Sequence, residues 1–65
     1  MLLKDSEAAS FLGLKPITLR FWRMQKKGPE YIRMGRAVRY NQDDLQAFIE
    51  TNKVVPEADH DHVHA

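Results

Sequence analysis

The fold is decided by residues 11–25, which read FLGLKPITLRFWRMQ. Gly13 follows an apolar helical stripe and suits the left-handed conformation in which a helix ends without steric cost. Pro16 suits the first turn of a new helix, because its φ angle is fixed near the helical value and its missing N–H would be unpaired there in any case. Apolar residues then continue at helical spacing through Trp22. The stretch therefore predicts two helices joined by a turn of about three residues, the second running from Pro16 to about Gln25.

The first helix is predicted to run from about Asp5 to Leu12. Its apolar residues recur at the i, i+3, i+4 spacing of one buried stripe. Asp5 or Ser6 is expected to cap its first turn, because either side chain can accept hydrogen bonds from the free amides there. Lys15 stands before the second helix and cannot accept such a bond, so Pro16 has to set the start of that helix.

The residues after Gly28 predict a β-hairpin. Two short runs with β-branched or aromatic side chains, 31–34 and 37–40, flank Gly35-Arg36, and a two-residue link that contains Gly is typical of hairpins. An isolated two-stranded hairpin is only marginally stable in water, so this one must pack against the helices. A third helix, capped by Asn41, is predicted to follow.

These elements predict a fold class that is mainly α with a two-stranded β-hairpin, namely a small winged helix-turn-helix domain over residues 1–52. Ile32 and Val38 are expected to face the core, while Arg33 and Arg39 face away from it. The expected core is Leu3, Ala8, Phe11, Leu12, Leu14, Leu19, Trp22, Ile32, Val38, Leu45, Phe48 and Ile49.

The composition limits the chain to one domain without disulfides or thiolate metal sites, since it has 65 residues and no cysteine. Its start lacks the features of a signal peptide, and no apolar run is long enough to span a membrane. These observations predict a cytoplasmic protein with no membrane partner. Residues 53–65 lack apolar periodicity and are predicted to be a disordered tail, acidic and His-bearing.

Positive charge is concentrated in the middle of the chain. The net charge is only +1, but residues 15–40 hold eight basic side chains and a single acid, Glu30, for a formal charge of +7. Clustered positive charge indicates a polyanionic partner, above all nucleic acid. On charge alone, a solvated basic face without a partner is an equally good interpretation.

The order of helix, tight turn, basic helix and basic hairpin indicates how the chain would bind double-stranded DNA. In a helix-turn-helix the second helix lies in the major groove, and its N-terminal part meets base edges. Arg20 offers a planar fork for guanine or phosphate, and Ile17 or Phe21 can contact a thymine methyl. Packing of Phe21 under the hairpin is an equally good interpretation. Arg36, at the hairpin tip, is placed to enter a minor groove. The predicted DNA-binding residues are Lys15, Ile17, Thr18, Arg20, Phe21, Arg23, Arg33, Arg36 and Arg39.

Several ordered motifs are similar to those of one family. They are Leu2-Leu3, Glu7-Ala8-Ala9, Phe11-Leu12-Gly13-Leu14, Pro16-Ile17-Thr18-Leu19-Arg20-Phe21-Trp22-Arg23, Gly28-Pro29-Glu30-Tyr31, Gly35-Arg36-Ala37-Val38-Arg39-Tyr40 and Asp44-Leu45-Gln46-Ala47-Phe48-Ile49. Together they resemble the MerR-like helix-turn-helix family of phage excisionases and prophage regulators. The resemblance implies a protein that binds repeated sites, bends DNA and directs an integrase toward excision. Its partners would be double-stranded DNA, the integrase and further copies of itself. The resemblance also implies a small transcriptional regulator of the same fold as the alternative.

Other functions are weaker interpretations. The chain lacks the residues that an enzyme active site needs. It has no cysteine, only two serines, and histidines only near its end, so no nucleophile–base pair is predicted. Neither catalytic residues nor a cofactor are therefore expected. The alternating His60, His62 and His64 can bind a metal ion, but a terminal segment lacks supporting contacts, so no metal site is predicted. A module that binds an acidic protein partner is the second alternative.

Overall fold

The structure is a computed structural model that describes residues 1–56. It contains three helices and a three-stranded antiparallel sheet, which confirms the predicted winged helix-turn-helix fold. The elements are β1 (Leu2–Leu3), α1 (Asp5–Leu12), α2 (Pro16–Met24), β2 (Ile32–Met34), β3 (Ala37–Asn41) and α3 (Gln42–Thr51). The predicted bounds of α1 and α2 are confirmed. Within the part of the chain that the structure describes, no helix is both long enough and apolar enough to cross a membrane.

The caps of the helices follow the local chemistry only in part. Asn41 caps α3 as predicted, because its Oδ1 accepts a hydrogen bond from the backbone N–H of Asp43 at 3.0 Å. The cap predicted for α1 is wrong, since Lys4 holds the N-cap position. Glu7 instead accepts a hydrogen bond from the backbone N–H of Lys4 at 2.9 Å. The carboxylate of Asp5 points to α2 instead, where it accepts a hydrogen bond from Arg23.

The turn between α1 and α2 is built on Gly13, which has a φ angle of 72°. The backbone N–H of Leu14 donates to the carbonyl of Ala9 at 2.8 Å, and that of Gly13 donates to the carbonyl of Ser10 at 3.1 Å. This pair of bonds is the Schellman motif, in which a left-handed residue reverses the chain and satisfies the last carbonyls of a helix. Gly13 therefore ends α1 as the sequence predicted.

The same motif ends α2, but with a lysine at the left-handed position. Lys26 has a φ angle of 58°, and the backbone N–H of Lys27 donates to the carbonyl of Trp22 at 2.9 Å. The backbone N–H of Lys26 donates to the carbonyl of Arg23 at 3.1 Å. A residue with a Cβ atom is strained in this conformation by about 1–2 kcal/mol. Lys26 therefore stores backbone strain at the end of α2, whereas Gly13 ends α1 in the same conformation without strain.

Replacing Lys26 with glycine should raise the free energy of unfolding by about 1 kcal/mol, because the strain of the left-handed backbone is removed. Urea-induced unfolding would measure the change. Lys27→Gly is the matched control, since it removes the same charge at a position without positive φ and should not stabilise the protein. If both variants are stabilised equally, relief of charge repulsion is the cause and not the backbone.

The sheet has the order β1-β3-β2, so β3 is its central strand. Leu3 lies opposite Tyr40 in the β1–β3 pair, and this third strand was not predicted. The two-residue turn at Gly35-Arg36 is confirmed. Gly35 has a φ angle of 61° and Arg36 has no positive φ, which is the pattern of a type II′ hairpin turn. The hairpin is therefore supported along β3 by a strand from the start of the chain.

The register of the hairpin differs from the expectation. Ile32 lies opposite Arg39, and Arg33 lies opposite Val38. Residues directly opposite each other in an antiparallel pair point to the same face of the sheet. Ile32 and Val38 therefore lie on different faces, and so do Arg33 and Arg39. The prediction that both apolar residues face the core and both arginines face away from it is wrong, since Arg33 shares the face of Val38.

The core is smaller than the sequence predicted. The buried apolar residues are Leu3, Ala8, Ala9, Leu19, Tyr40 and Leu45, with Leu12, Trp22 and Val38 packed partly against them. Phe11 and Leu14 are each 38% exposed, so their assignment to the core is wrong. Ala9 and Tyr40 were not predicted, because a small residue and a tyrosine at the end of a strand carry no strong periodic signal. Ile32, Phe48 and Ile49 are half-buried.

Candidate nucleic-acid interface

The two faces of α2 differ in what they contact. Leu19 is fully buried on the inner face, where the ring of Trp22 lies 5.6 Å from that of Phe48. On the outer face Arg20 is exposed and Phe21 is 51% exposed. About half of the Phe21 side chain is therefore accessible to a ligand on this face. The remaining predicted residues of this segment are also accessible: Lys15 and Ile17 are exposed and Thr18 is half-buried.

Basic residues of α2 and of the hairpin lie together around one cleft of about 330 Å³. Its lining residues are Arg20, Arg23, Met24, Arg33, Arg36 and Val38. The first three belong to α2, and the last three belong to the hairpin. The structure thus brings Arg20, Arg33 and Arg36 to the same side of the molecule. Their positive fields add at this cleft, and a phosphate backbone is the kind of ligand that such a field attracts.

The two predicted arginines in the strands of the hairpin, Arg33 and Arg39, are placed differently from each other. Arg33 is exposed, and its guanidinium lies 5.8 Å from the centre of the Tyr31 ring, a cation–π distance. Arg39 is half-buried on the other face of the hairpin, and its guanidinium donates to the carbonyl of Val38 at 2.8 Å. The structure therefore brings Arg33 to the cleft and does not bring Arg39 there.

Arg23 borders the cleft, but its guanidinium is bound within the protein. Nη1 lies 2.7 Å from Oδ1 of Asp5, and Nη2 lies 3.1 Å from Oδ2, so the pair is bidentate. Nη1 also donates to the hydroxyl of Tyr40 at 2.8 Å. The hydrogen bond with Asp5 raises the pKa of Arg23, so the guanidinium stays charged at all accessible pH values. Arg23 thus joins α2 to α1 and to the sheet.

This junction was not detectable from the sequence. Asp5 and Arg23 are 18 residues apart, and that separation corresponds to no local spacing rule. The pairing became visible only once α1 and α2 were packed against each other. The Arg23 guanidinium is therefore held by Asp5 and Tyr40 at the border of the cleft.

Tyr40 gives the junction a dependence on alkaline pH. Its side chain is buried, and burial raises its pKa above the ordinary value of 10.0. The neutral phenol is favoured in the folded state, so this contribution to stability is complete below pH 10.0 and is lost as the pH rises through the higher pKa of the folded protein.

The free energy of unfolding should accordingly fall more steeply above about pH 10 than below it. Urea unfolding at pH values from about 8 to about 11.5 would measure this. The matched variant is Tyr40→Phe, which removes the titrating group and should have a shallower alkaline decline. Parallel curves for the two proteins would contradict the assignment to Tyr40.

Within residues 1–56 no group of three or more His, Cys, Asp or Glu side chains is arranged to hold a metal ion. His60, His62 and His64, considered above as a metal-binding pattern, lie outside the described residues. The cleft itself is lined by arginines, a methionine and a valine, which makes it suited to an anion.

Comparison with known proteins identifies the fold. A family model described as a helix-turn-helix domain matches residues 2–53, a range that contains all six elements of secondary structure. No curated protein matches the sequence. The matched range includes the basic side of α2 and the hairpin, and the second helix of such domains is the one that enters the major groove. The chain belongs to the helix-turn-helix domain family and is a protein that binds double-stranded DNA.

Proposed function

We propose that this protein is a sequence-specific DNA-binding protein that acts as a phage or prophage excisionase. It binds repeated sites, bends DNA and directs an integrase toward excision, without catalysing a reaction itself. The observation that supports the DNA-binding mode is the common cleft of Arg20, Arg33 and Arg36. The excisionase role rests on the family resemblance of the sequence motifs.

The proposed mode places α2 in the major groove. Arg20 then meets guanine or phosphate, and Thr18, two residues before it, meets a base or phosphate. Lys15 precedes α2 and is exposed, which suits a contact with the backbone. Arg36 sits at the tip of a narrow hairpin and reaches the adjacent minor groove, whose negative potential attracts arginine, and the phosphates that border this groove.

Two of the predicted arginines take other roles in this mode. Arg23 positions α2, because its guanidinium is held by Asp5 and its side chain is only 12% exposed. Arg39 lies on the face of the hairpin opposite Arg33. We therefore assign the phosphate contacts of the hairpin to Arg33 and Arg36.

A single module of this size would contact few base pairs and bind weakly. Repeated sites occupied by several copies would supply the missing affinity. Contacts between neighbouring copies follow from this arrangement. Contacts with the integrase belong to the proposal because the family resemblance implies them.

Variants in α2 and in the hairpin test the proposal. Arg20→Ala should weaken binding to the preferred sequence by roughly 1–3 kcal/mol and reduce sequence preference, as should Thr18→Ala to a smaller extent. Arg36→Ala should weaken binding to all duplexes by roughly 1–2 kcal/mol and reduce the salt dependence. Fluorescence anisotropy with labelled duplexes at several salt concentrations would measure both effects.

The two hairpin arginines provide a matched control. Arg33→Ala should weaken DNA binding more than Arg39→Ala, because only Arg33 lines the cleft. Equal effects would contradict the proposed orientation of the hairpin. Affinity that does not depend on salt would favour the module that binds an acidic protein.

The excisionase and regulator roles are separated by where the protein binds. A protected footprint beside the coding region that overlaps the arm sites of an integrase supports the excisionase. A footprint that overlaps only a promoter overturns that role and supports the transcriptional regulator.

A further inference from the structure

The outer face of α2 is largely apolar although it is exposed. Ile17, Arg20, Phe21 and Met24 occupy the i, i+3, i+4 and i+7 positions of one helical face. Ile17 is 43% exposed, Phe21 is 51% exposed and Met24 is 72% exposed. A solvent-facing helix surface normally carries polar residues, so three large apolar side chains around one arginine indicate a surface with a partner.

The size and charge of this face indicate what the partner is. Four side chains on about two turns of helix offer far less than the about 800 Å² that each partner of a stable protein interface buries. A second copy docked face to face would also bring the two Arg20 side chains together. Duplex DNA has the opposite charge, and the cleft formed by Arg20, Arg33 and Arg36 borders the same helix.

Thymine presents the apolar group that such a face fits. Its 5-methyl group is the apolar feature that a base pair displays in the major groove, where the other edges present hydrogen-bond donors and acceptors. Ile17 and Phe21 are separated by about 6 Å along the helix axis, from a rise of about 1.5 Å per residue. Successive bases of a strand are about 3.4 Å apart, so the two side chains span about two base steps.

We propose that Ile17, Phe21 and Met24 read thymine 5-methyl groups on base pairs that flank the one contacted by Arg20. This inference rests on the proposed function, since it requires α2 to lie in the major groove. It adds the class of base that the helix selects: thymines within about two steps of a guanine or phosphate contact.

Deoxyuridine provides the test, because it differs from thymidine only in lacking the methyl group. The preferred duplex is first selected from a randomised duplex library with the full chain, and each thymine is then replaced by deoxyuridine in turn. Affinity should fall about fourfold at the contacted positions, the factor that corresponds to about 0.8 kcal/mol for one buried carbon group. Positions outside the contact should be unaffected.

Variants connect each methyl group to a side chain. Ile17→Ala and Phe21→Ala should each lose the preference for thymine over deoxyuridine at one position and keep it at the others. Phe11→Ala is the matched control, since Phe11 is also exposed but lies on α1. It should keep the full preference for thymine over deoxyuridine. Loss of that preference in the α2 variants would then not be a general effect of removing an exposed apolar side chain.

The outcomes separate the inference from the function on which it rests. Selection of a duplex that binds equally well with deoxyuridine at every position overturns the inference and leaves the DNA-binding function intact. Failure to select any duplex overturns the proposed function. A dimer that forms without DNA and dissociates in Phe21→Lys would also overturn the inference and assign the face to a second copy.

Discussion

Replacing Asp5 with alanine should lower the free energy of unfolding by about 2–3 kcal/mol, the range for losing hydrogen bonds to a charged group that stays partly buried. The Arg23 side chain is only 12% exposed, so water cannot fully replace the carboxylate. A domain of this size has a total stability of only about 3–8 kcal/mol, by a typical value of about 0.05–0.15 kcal/mol per residue. The substitution therefore removes a large part of the stability, which urea unfolding would measure.

A double-mutant cycle isolates the pair. Arg23→Met keeps most of the aliphatic stem and removes the charge, and its coupling with Asp5→Ala should be about 1–3 kcal/mol. The exposed pair of Glu50 and Lys53, with side chains 53% and 65% exposed, is the control. Glu50→Ala should change stability by less than about 1 kcal/mol, as is usual for surface pairs. Additive effects of Asp5→Ala and Arg23→Met would mean that the pair contributes nothing.

The same variants distinguish a positioning role of Arg23 from a phosphate contact. A phosphate contact contributes close to one unit to the slope of log affinity against log salt. Arg36→Ala should reduce this slope by about 1, whereas Arg23→Met should leave it unchanged even if the affinity falls. A reduced slope in Arg23→Met would assign Arg23 to the DNA backbone, as the sequence first predicted.

Local signals predicted the parts of the fold that local chemistry controls. Gly13, Pro16 and Asn41 each set a helix end through their own backbone or side chain, and the structure confirms all three. The hairpin register could also have been predicted. A two-residue turn at Gly35-Arg36 requires Met34 to pair with the residue just after the turn, and counting outward from it gives the observed pairs. The wrong expectation came from assigning apolar residues to the core without this count.

The remaining features depend on contacts between distant segments. β1 has two residues, too few for an alternating pattern, and it forms because β3 offers an unpaired edge. The Asp5–Arg23 pair likewise requires α1 and α2 to be packed first. In the interface, helical periodicity turned Ile17 and Phe21 away from the face of Leu19 but left open what Phe21 contacts, and the separation of Arg33 from Arg39 depended on the register.

Gly28 lies in the loop after α2, close to the side chain of Trp22. It has a φ angle of 94°, and a Cβ atom placed there would lie 2.8 Å from Cε3 of Trp22 and 3.0 Å from its Cβ. Gly28→Ala would combine backbone strain of about 1–3 kcal/mol with overpacking of about 1–3 kcal/mol. We therefore expect the free energy of unfolding to fall by roughly 2–6 kcal/mol, which urea unfolding would measure.

Gly13→Ala separates the two causes. Gly13 has a φ angle of 72°, and a Cβ atom there would have nothing within 4 Å. Its substitution should cost only the backbone strain, about 1–2 kcal/mol. Equal losses at the two positions would show that Trp22 shifts without cost.

If Gly28→Ala does not fold, Trp22→Leu in the same chain should recover part of the loss, because the smaller side chain relieves the clash. Since Trp22 holds the inner face of α2, recovery of folding without recovery of DNA affinity would show that this contact also sets the position of Arg20.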